Sequence, residues 1–260
     1  KIGLPSDQVA TYLAKGYARN DRVGNSYLEQ EYESVLSGTK SQWETITDQS
    51  GAVVAREESY EGKAGDNLVL TIDIDFQKEI EQIATDFLNS NVDSYNDRIY
   101  IVASDPNTGE ILGMTGKQRS TSNEIVDDAL GVINSSYGMG SAVKGAMVLT
   151  GYMSGVISAD NNVLVDEPLQ FQGSNPKKSV FNPTIGNQVA INDIEALARS
   201  SNVYMIKLAM LMGGQSTYES GGTLNISPDL IDELRSYFAQ FGLGVKTGID
   251  LPNEGSGLTG

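Results

Sequence analysis

A serine can be activated as a nucleophile by a lysine three residues later, although the spacing alone decides nothing. On a helix, positions i and i+3 share a face, so the amine reaches the hydroxyl. Burial favours the neutral amine, which can then accept the hydroxyl proton. The chain holds three such pairs: Ser37 with Lys40, Ser141 with Lys144, and Ser174 with Lys177. Context separates them. Ser37-Gly-Thr-Lys40 lies in a polar stretch, and Ser174-Asn-Pro-Lys177 carries a proline in a loop, so neither holds its pair in helical register. Ser141-Ala-Val-Lys144 opens an apolar helix, where free backbone N–H groups at the N-terminus can also stabilise an oxyanion. The plain alternative is an ordinary N-cap serine and a solvated lysine. Against it stand the apolar residues Ala146, Met147, Val148 and Leu149 after Lys144, and the backbone freedom of Gly138-Met-Gly140 before Ser141.

A Ser-x-Asn motif supplies a hydroxyl that relays protons and an amide that orients a lysine or binds substrate. It occurs as Ser94-Tyr-Asn96, in an Asn- and Asp-rich loop, and as Ser200-Ser-Asn202, inside an otherwise apolar helical stretch. Polar groups in the second setting must find partners or cost stability. A helix-joining turn satisfied by local backbone bonds is the competing reading of Ser200 and Asn202.

Composition narrows the chemistry. The 260 residues include no histidine and no cysteine, which removes Ser-His-Asp triads, thiolate metal sites and disulfides. A covalent mechanism here must pair its nucleophile with Lys, Asp, Glu or Tyr. The formal net charge of -16 argues against nucleic acid as a partner. No apolar run reaches membrane-spanning length, and a first residue other than Met suggests that preceding residues were removed.

The elements that must hold these residues read as α+β. Residues 1–66 are polar and punctuated by glycine, a small extended module with a hairpin around 53–55 after Asp48-Gln-Ser-Gly51. Residues 67–260 form the main domain. It starts with a strand over 68–72 and a helix capped by Asp75 with Phe76, Ile80, Ile83 and Phe87 on its inner face. Two antiparallel strands flank the turn Asp105-Pro-Asn-Thr-Gly109. Residues 160–188 are a long loop. One helix is expected over 193–212, and another follows the Ser227 cap with Pro228 in its first turn, its inner face Leu230, Leu234, Phe238 and Phe241.

Together, Ser141-x-x-Lys144 and Ser200-x-Asn202 resemble the motifs of the penicillin-recognising serine enzymes. The wider resemblance is to class B penicillin-binding proteins, most of all the 2b type of streptococci. It is carried by Arg22-Val-Gly-Asn-Ser-Tyr-Leu-Glu29 with Leu36-Ser-Gly38, by Leu70-Thr-Ile-Asp73 through Gln77, and by Thr247-Gly-Ile-Asp-Leu-Pro252. The resemblance implies a pedestal module before an incomplete penicillin-binding fold, an antiparallel sheet with helices. It implies Ser141 as nucleophile on the D-Ala-D-Ala carbonyl of a peptidoglycan stem peptide, Lys144 as general base, Ser200 as proton relay, and Asn202 as the holder of Lys144 and substrate. It further implies acylation by β-lactams, no cofactor, elongation or division machinery as partners, and a membrane-anchored catalytic domain outside the cytoplasm. Lys246-Thr-Gly248 matches the third family motif in composition. It runs straight into the connecting segment of the family, with no strand-like alternation before it, so the true motif is expected in a C-terminal segment beyond residue 260. A penicillin-sensing receptor and a non-catalytic scaffold stay open as alternatives. A class A β-lactamase is less favoured, because nothing in the loop 160–188 stands out as a placed deacylating base, Glu167 being the candidate left for that role.

Overall fold

A computed structural model describes residues 3–92 and 95–258. By compactness the chain separates into two units, Lys1–Ser135 with Gly248–Gly255 and Ser136–Thr247 with Ser256–Gly260. The first module and the sheet that follows it thus fall in one compact unit, a different grouping from the division expected at 66/67 on sequence signatures.

The first unit opens with three short helices, α1 (Val9–Ala14), α2 (Tyr27–Glu31) and α3 (Glu33–Leu36). Tyr12 and Val23 are its buried anchors, and Glu33 binds the Gly24 N–H at 2.7 Å inside the first signature stretch. The hairpin β1 (Gln42–Thr47) and β2 (Val53–Tyr60) turns at Asp48, whose carboxylate accepts from Ser50 N and Ala52 N.

No strand forms over 68–72. That segment runs extended, with Val69 91% exposed, because it makes only isolated bonds to the sheet: Thr71 Oγ1 donates to Ile111 O and Asp73 N to Leu112 O. One or two bonds do not make a ladder. The helix α4 (Ile74–Ser90) is capped by Asp73 and not by Asp75. The Asp73 carboxylate reaches the N–H groups of Asp75 and Phe76, the two donors that a cap must satisfy. Its buried face is Ile80, Ala84 and Leu88, at i, i+4 and i+8, while Ile83 and Phe87 are about half exposed.

The sheet has the order β3 (Arg98–Ser104), β4 (Ile111–Arg119), β5 (Ile125–Asp127), all antiparallel, and α5 (Gly131–Asn134) follows it. The Gln77 amide fastens α4 to this sheet by accepting from Met114 N at 2.9 Å and donating to Met114 O at 3.0 Å. This double bond to one residue gives the entry signature its physical sense.

The second unit holds two buried apolar clusters. A 3-10 turn (Gly140–Val143) leads into α6 (Lys144–Met153). The two-stranded pair β6 (Leu164–Asp166) and β7 (Val189–Ile191) brackets the long loop, and α7 (Asp193–Ala198), α8 (Asn202–Met212) and α9 (Leu230–Ala239) follow. Asn192 and Glu195 form a capping box on α7. The helix expected over 193–212 is therefore two helices. Ser200 breaks it with φ 52, and Ser201 restarts it by capping Tyr204 N. Met147, Val148, Ile191, Tyr204 and Leu208 form the largest buried cluster, with Leu234 and Phe238 of α9 against it. Phe241, expected beside them, is 38% exposed because α9 ends at Ala239.

Candidate active site

Ser141 does not begin an α-helix; it sits in the 3-10 turn that runs directly into α6. In that geometry side chains at i and i+3 eclipse, which aligns Ser141 and Lys144 more tightly than an α-turn does. Gly140, at φ 54, is where the chain needs a residue without a Cβ to enter this turn. The Ser141 hydroxyl is exposed, whereas Lys144 is only 8% exposed, at the first position of a helix that buries Met147, Val148 and Gly151.

The Lys144 amine is held by three oxygens. It donates to Ser200 O at 2.7 Å and to Asn202 Oδ1 at 2.6 Å, and it lies 3.0 Å from Ser200 Oγ. Ser200 Oγ in turn lies 3.1 Å from Ser141 Oγ. Ser200 Oγ thus stands between the Lys144 amine and the Ser141 hydroxyl. Burial lowers the Lys144 pKa below the ordinary lysine value. In the neutral amine two protons remain, and two of its neighbours, the Ser200 carbonyl and the Asn202 amide oxygen, can only accept. The lone pair is left facing the one neighbour that can donate, the Ser200 hydroxyl. Asn202 Nδ2 donates to Lys178 O at 3.1 Å, which fixes the amide so that its oxygen meets Lys144.

The other pairs are not brought together in this way. Ser37 accepts from Tyr17 while Lys40 pairs with Asp21, and Ser174 bonds to the carbonyls of Phe171 and Asn175. Ser94, of the alternative Ser-x-Asn, lies outside the described residues. Lys246-Thr-Gly248 lies in no strand among the described residues. Glu167 is ion-paired to Lys207 at 2.8 Å and accepts from Gln188; burial pushes its pKa up, and these partners outweigh that and hold it below the ordinary glutamate value. It makes no hydrogen bond to the four site residues.

Residues 99–260 match the penicillin binding protein transpeptidase domain, and residues 1–70 match the penicillin-binding protein dimerisation domain. The chain belongs to the class B penicillin-binding proteins. It is 48% identical to penicillin-binding protein 2A of Bacillus subtilis over 99% of its own length and 36% of that protein. Among solved structures, penicillin-binding protein 2B of Streptococcus pneumoniae strain 5204 is similar at a TM-score of 0.83 and 38% identity, covering 100% of this chain and 43% of that one. A complex between penicillin-binding protein 2 and MreC from Helicobacter pylori shares the fold at a TM-score of 0.67 and 21% identity, over 98% of this chain and 45% of that one. The chain therefore spans about a third to under half of the penicillin-binding proteins it matches. The α+β fold, with a dimerisation domain followed by part of a transpeptidase domain, is that of the family.

The four residues that the sequence motifs singled out come together in the structure, and the residues that support them were missed. Ser201, as a polar residue directly before an apolar helix, carried a usable cap signal. Asp166, Ser179 and Asn182, which bond to one another behind the motif, sit in the long loop and its short flanking strand with no pattern to mark them.

Proposed function

We propose that this chain carries the acylation machinery of a peptidoglycan D,D-transpeptidase. Ser141 Oγ attacks the carbonyl of the penultimate D-Ala of a stem peptide. As the O–C bond forms, the Ser141 proton passes to Ser200 Oγ and the Ser200 proton to Lys144. Collapse of the tetrahedral species breaks the C–N bond, and the proton returns from Lys144 through Ser200 to the departing D-Ala nitrogen. The amine of a second stem peptide then attacks the acyl-serine by the same route in reverse, leaving a cross-link and free Ser141. A β-lactam enters as the first substrate and leaves the serine acylated.

The observation that carries this reading is the run of hydrogen bonds from Ser141 through Ser200 to a buried Lys144, at 3.1 and 3.0 Å. A lysine held so, below its ordinary pKa, is the base that a histidine-free chain needs. Residues 1–66 act as the pedestal and 67–260 belong to the transpeptidase domain, on the extracytoplasmic face where the substrate lies. Among the described residues no helix is long and apolar enough to cross a membrane. Cell-wall elongation or division proteins are the proposed partners, by likeness to the relative solved with MreC.

The test is fluorescent penicillin on the full-length protein, followed by peptide mapping. Label on Ser141 is expected; label on another residue, or on none, removes the reading. A sensor or a scaffold predicts instead that Ser141→Ala leaves cell-wall growth intact.

A further inference from the structure

Behind the Ser200–Asn202 turn lies a polar cluster that the catalytic cycle above does not use. Asp166 is 1% exposed, and Ser179 and Ser201 are fully buried. Asp166 Oδ2 accepts from Ser179 Oγ at 2.6 Å and from Ser201 Oγ at 2.5 Å, while Asn182 Nδ2 donates to Oδ1 and to the Asp166 carbonyl. The two hydroxyls lie 3.2 Å apart.

The first turn of α8 has backbone N–H groups without intrahelical partners, as every helix does. Here they are met by these hydroxyls. Ser179 Oγ accepts from Asn202 N at 3.0 Å and Val203 N at 3.3 Å, and Ser201 Oγ accepts from Tyr204 N at 2.9 Å. An N–H can only donate, so each hydroxyl must turn its lone pairs to the helix and send its single proton elsewhere. The carboxylate is the acceptor for both, directly or through the neighbouring hydroxyl. A carboxylate accepts only, so it sets the sense of the whole cluster. Its negative charge also stands at the N-terminal end of the helix dipole.

We propose that Asp166 is a positioning residue for this site. Through Ser179 and Ser201 it fixes the start of α8, and thereby the left-handed Ser200 and the Asn202 oxygen that hold Lys144. Among the described residues its side chain makes no hydrogen bond to Ser141, Lys144, Ser200 or Asn202, so it acts only through the cluster. The assignment rests on the transpeptidase reading.

Asp166→Asn keeps the shape and breaks the polarity. With its oxygen toward the two hydroxyls, its NH2 faces the NH2 of Asn182, which cannot turn because its own oxygen accepts from Asn187 at 2.8 Å. With the NH2 toward the hydroxyls, their protons lose their acceptor. A small displacement of groups that must align for proton transfer costs up to about 100-fold in rate.

The test follows fluorescent penicillin on the full-length protein by stopped flow, separating the non-covalent binding constant, the acylation rate constant and the labelled fraction. Asp166→Asn is expected to label to the wild-type fraction, bind within about 2-fold, and acylate about 10- to 100-fold more slowly. Amide exchange at Asn202, Val203 and Tyr204 is expected to quicken in the same variant. A wild-type acylation constant overturns the assignment. So does a reduced labelled fraction whose surviving molecules react at the wild-type rate, the mark of a merely structural residue. If Asp166→Asn yields no folded protein, Ser179→Ala decides on the same criteria, with slower acylation at full labelling expected and an unchanged rate overturning the role. A wild-type protein that takes no label at Ser141 brings down the transpeptidase reading itself. A labelled wild type with an unaffected Asp166→Asn brings down only the role of Asp166.

Discussion

Removing the Ser200 hydroxyl tests whether proton transfer runs through it. Ser200→Ala deletes an atom within hydrogen-bond distance of both Ser141 Oγ, at 3.1 Å, and the Lys144 amine, at 3.0 Å. Positioned general acid–base catalysis contributes about 100- to 10,000-fold, which is about 2.7–5.5 kcal/mol of activation free energy. Ser200→Ala should lose most of that, and Lys144→Ala should lose about the same. The decisive quantity is their combination. Groups that act as a unit are strongly non-additive, so the double variant should be no slower than the worse single one. Acylation by fluorescent penicillin in the full-length protein measures all four rates. Additive losses would refute the series arrangement and leave Ser200 and Lys144 as independent contributors. Ser200→Gly adds a control on the fold: both replacements lose the hydroxyl, but glycine tolerates φ 52 and alanine does not, so the glycine variant should be about 1 kcal/mol more stable in thermal unfolding.

Because burial lowers the Lys144 pKa, acylation should rise with pH to a plateau whose inflection lies below the ordinary lysine value of about 10.4. In the same window the unfolded chain binds the extra proton, so the stability of wild type relative to Lys144→Met should increase with pH, as denaturant titrations at several pH values will show. Leu208→Ala empties a fully buried position between α6 and α8 and should cost about 2–5 kcal/mol in denaturant unfolding. Glu167→Gln should leave the lifetime of the acyl-enzyme unchanged, since its carboxylate is engaged by Lys207 and Gln188; faster or slower deacylation would reopen its role as a base.

Much of this arrangement was legible in the residues because it depends on local chemistry. The hairpin turns at Asp48 and Asp105 and the apolar faces of α6 and α9 follow from neighbours in the chain. Ser141 and Lys144 were picked out by the apolar flank of their motif, which the burial of Lys144 explains. Elsewhere long-range pairing decided. The run 68–72 has strand composition, yet a strand exists only through its neighbour, and this one meets the sheet at isolated points. On α4, Ile83 and Phe87 looked inward by hydrophobicity, while the face that Gln77 fastens to Met114 buries Ile80, Ala84 and Leu88. The break at Ser200 could be suspected from its polar residues, but its left-handed turn depends on partners scattered from Asp166 to Ser179. No spacing rule reaches across such a distance.

Gly151 marks where α6 passes close to α8, for a methyl group placed there would come within 3.0 Å of Leu208 Cδ2. Ser141 lies in the turn that leads into α6 and Lys144 at its first position, while Ser200 lies in the turn that leads into α8, so a slip of either helix along its axis would part donor from acceptor before any side chain turned. Tolerance in this enzyme-like centre is thus set by hydrocarbon contact one or two turns away, and a bulkier residue at 151 would act as a wedge driven into a lock from behind.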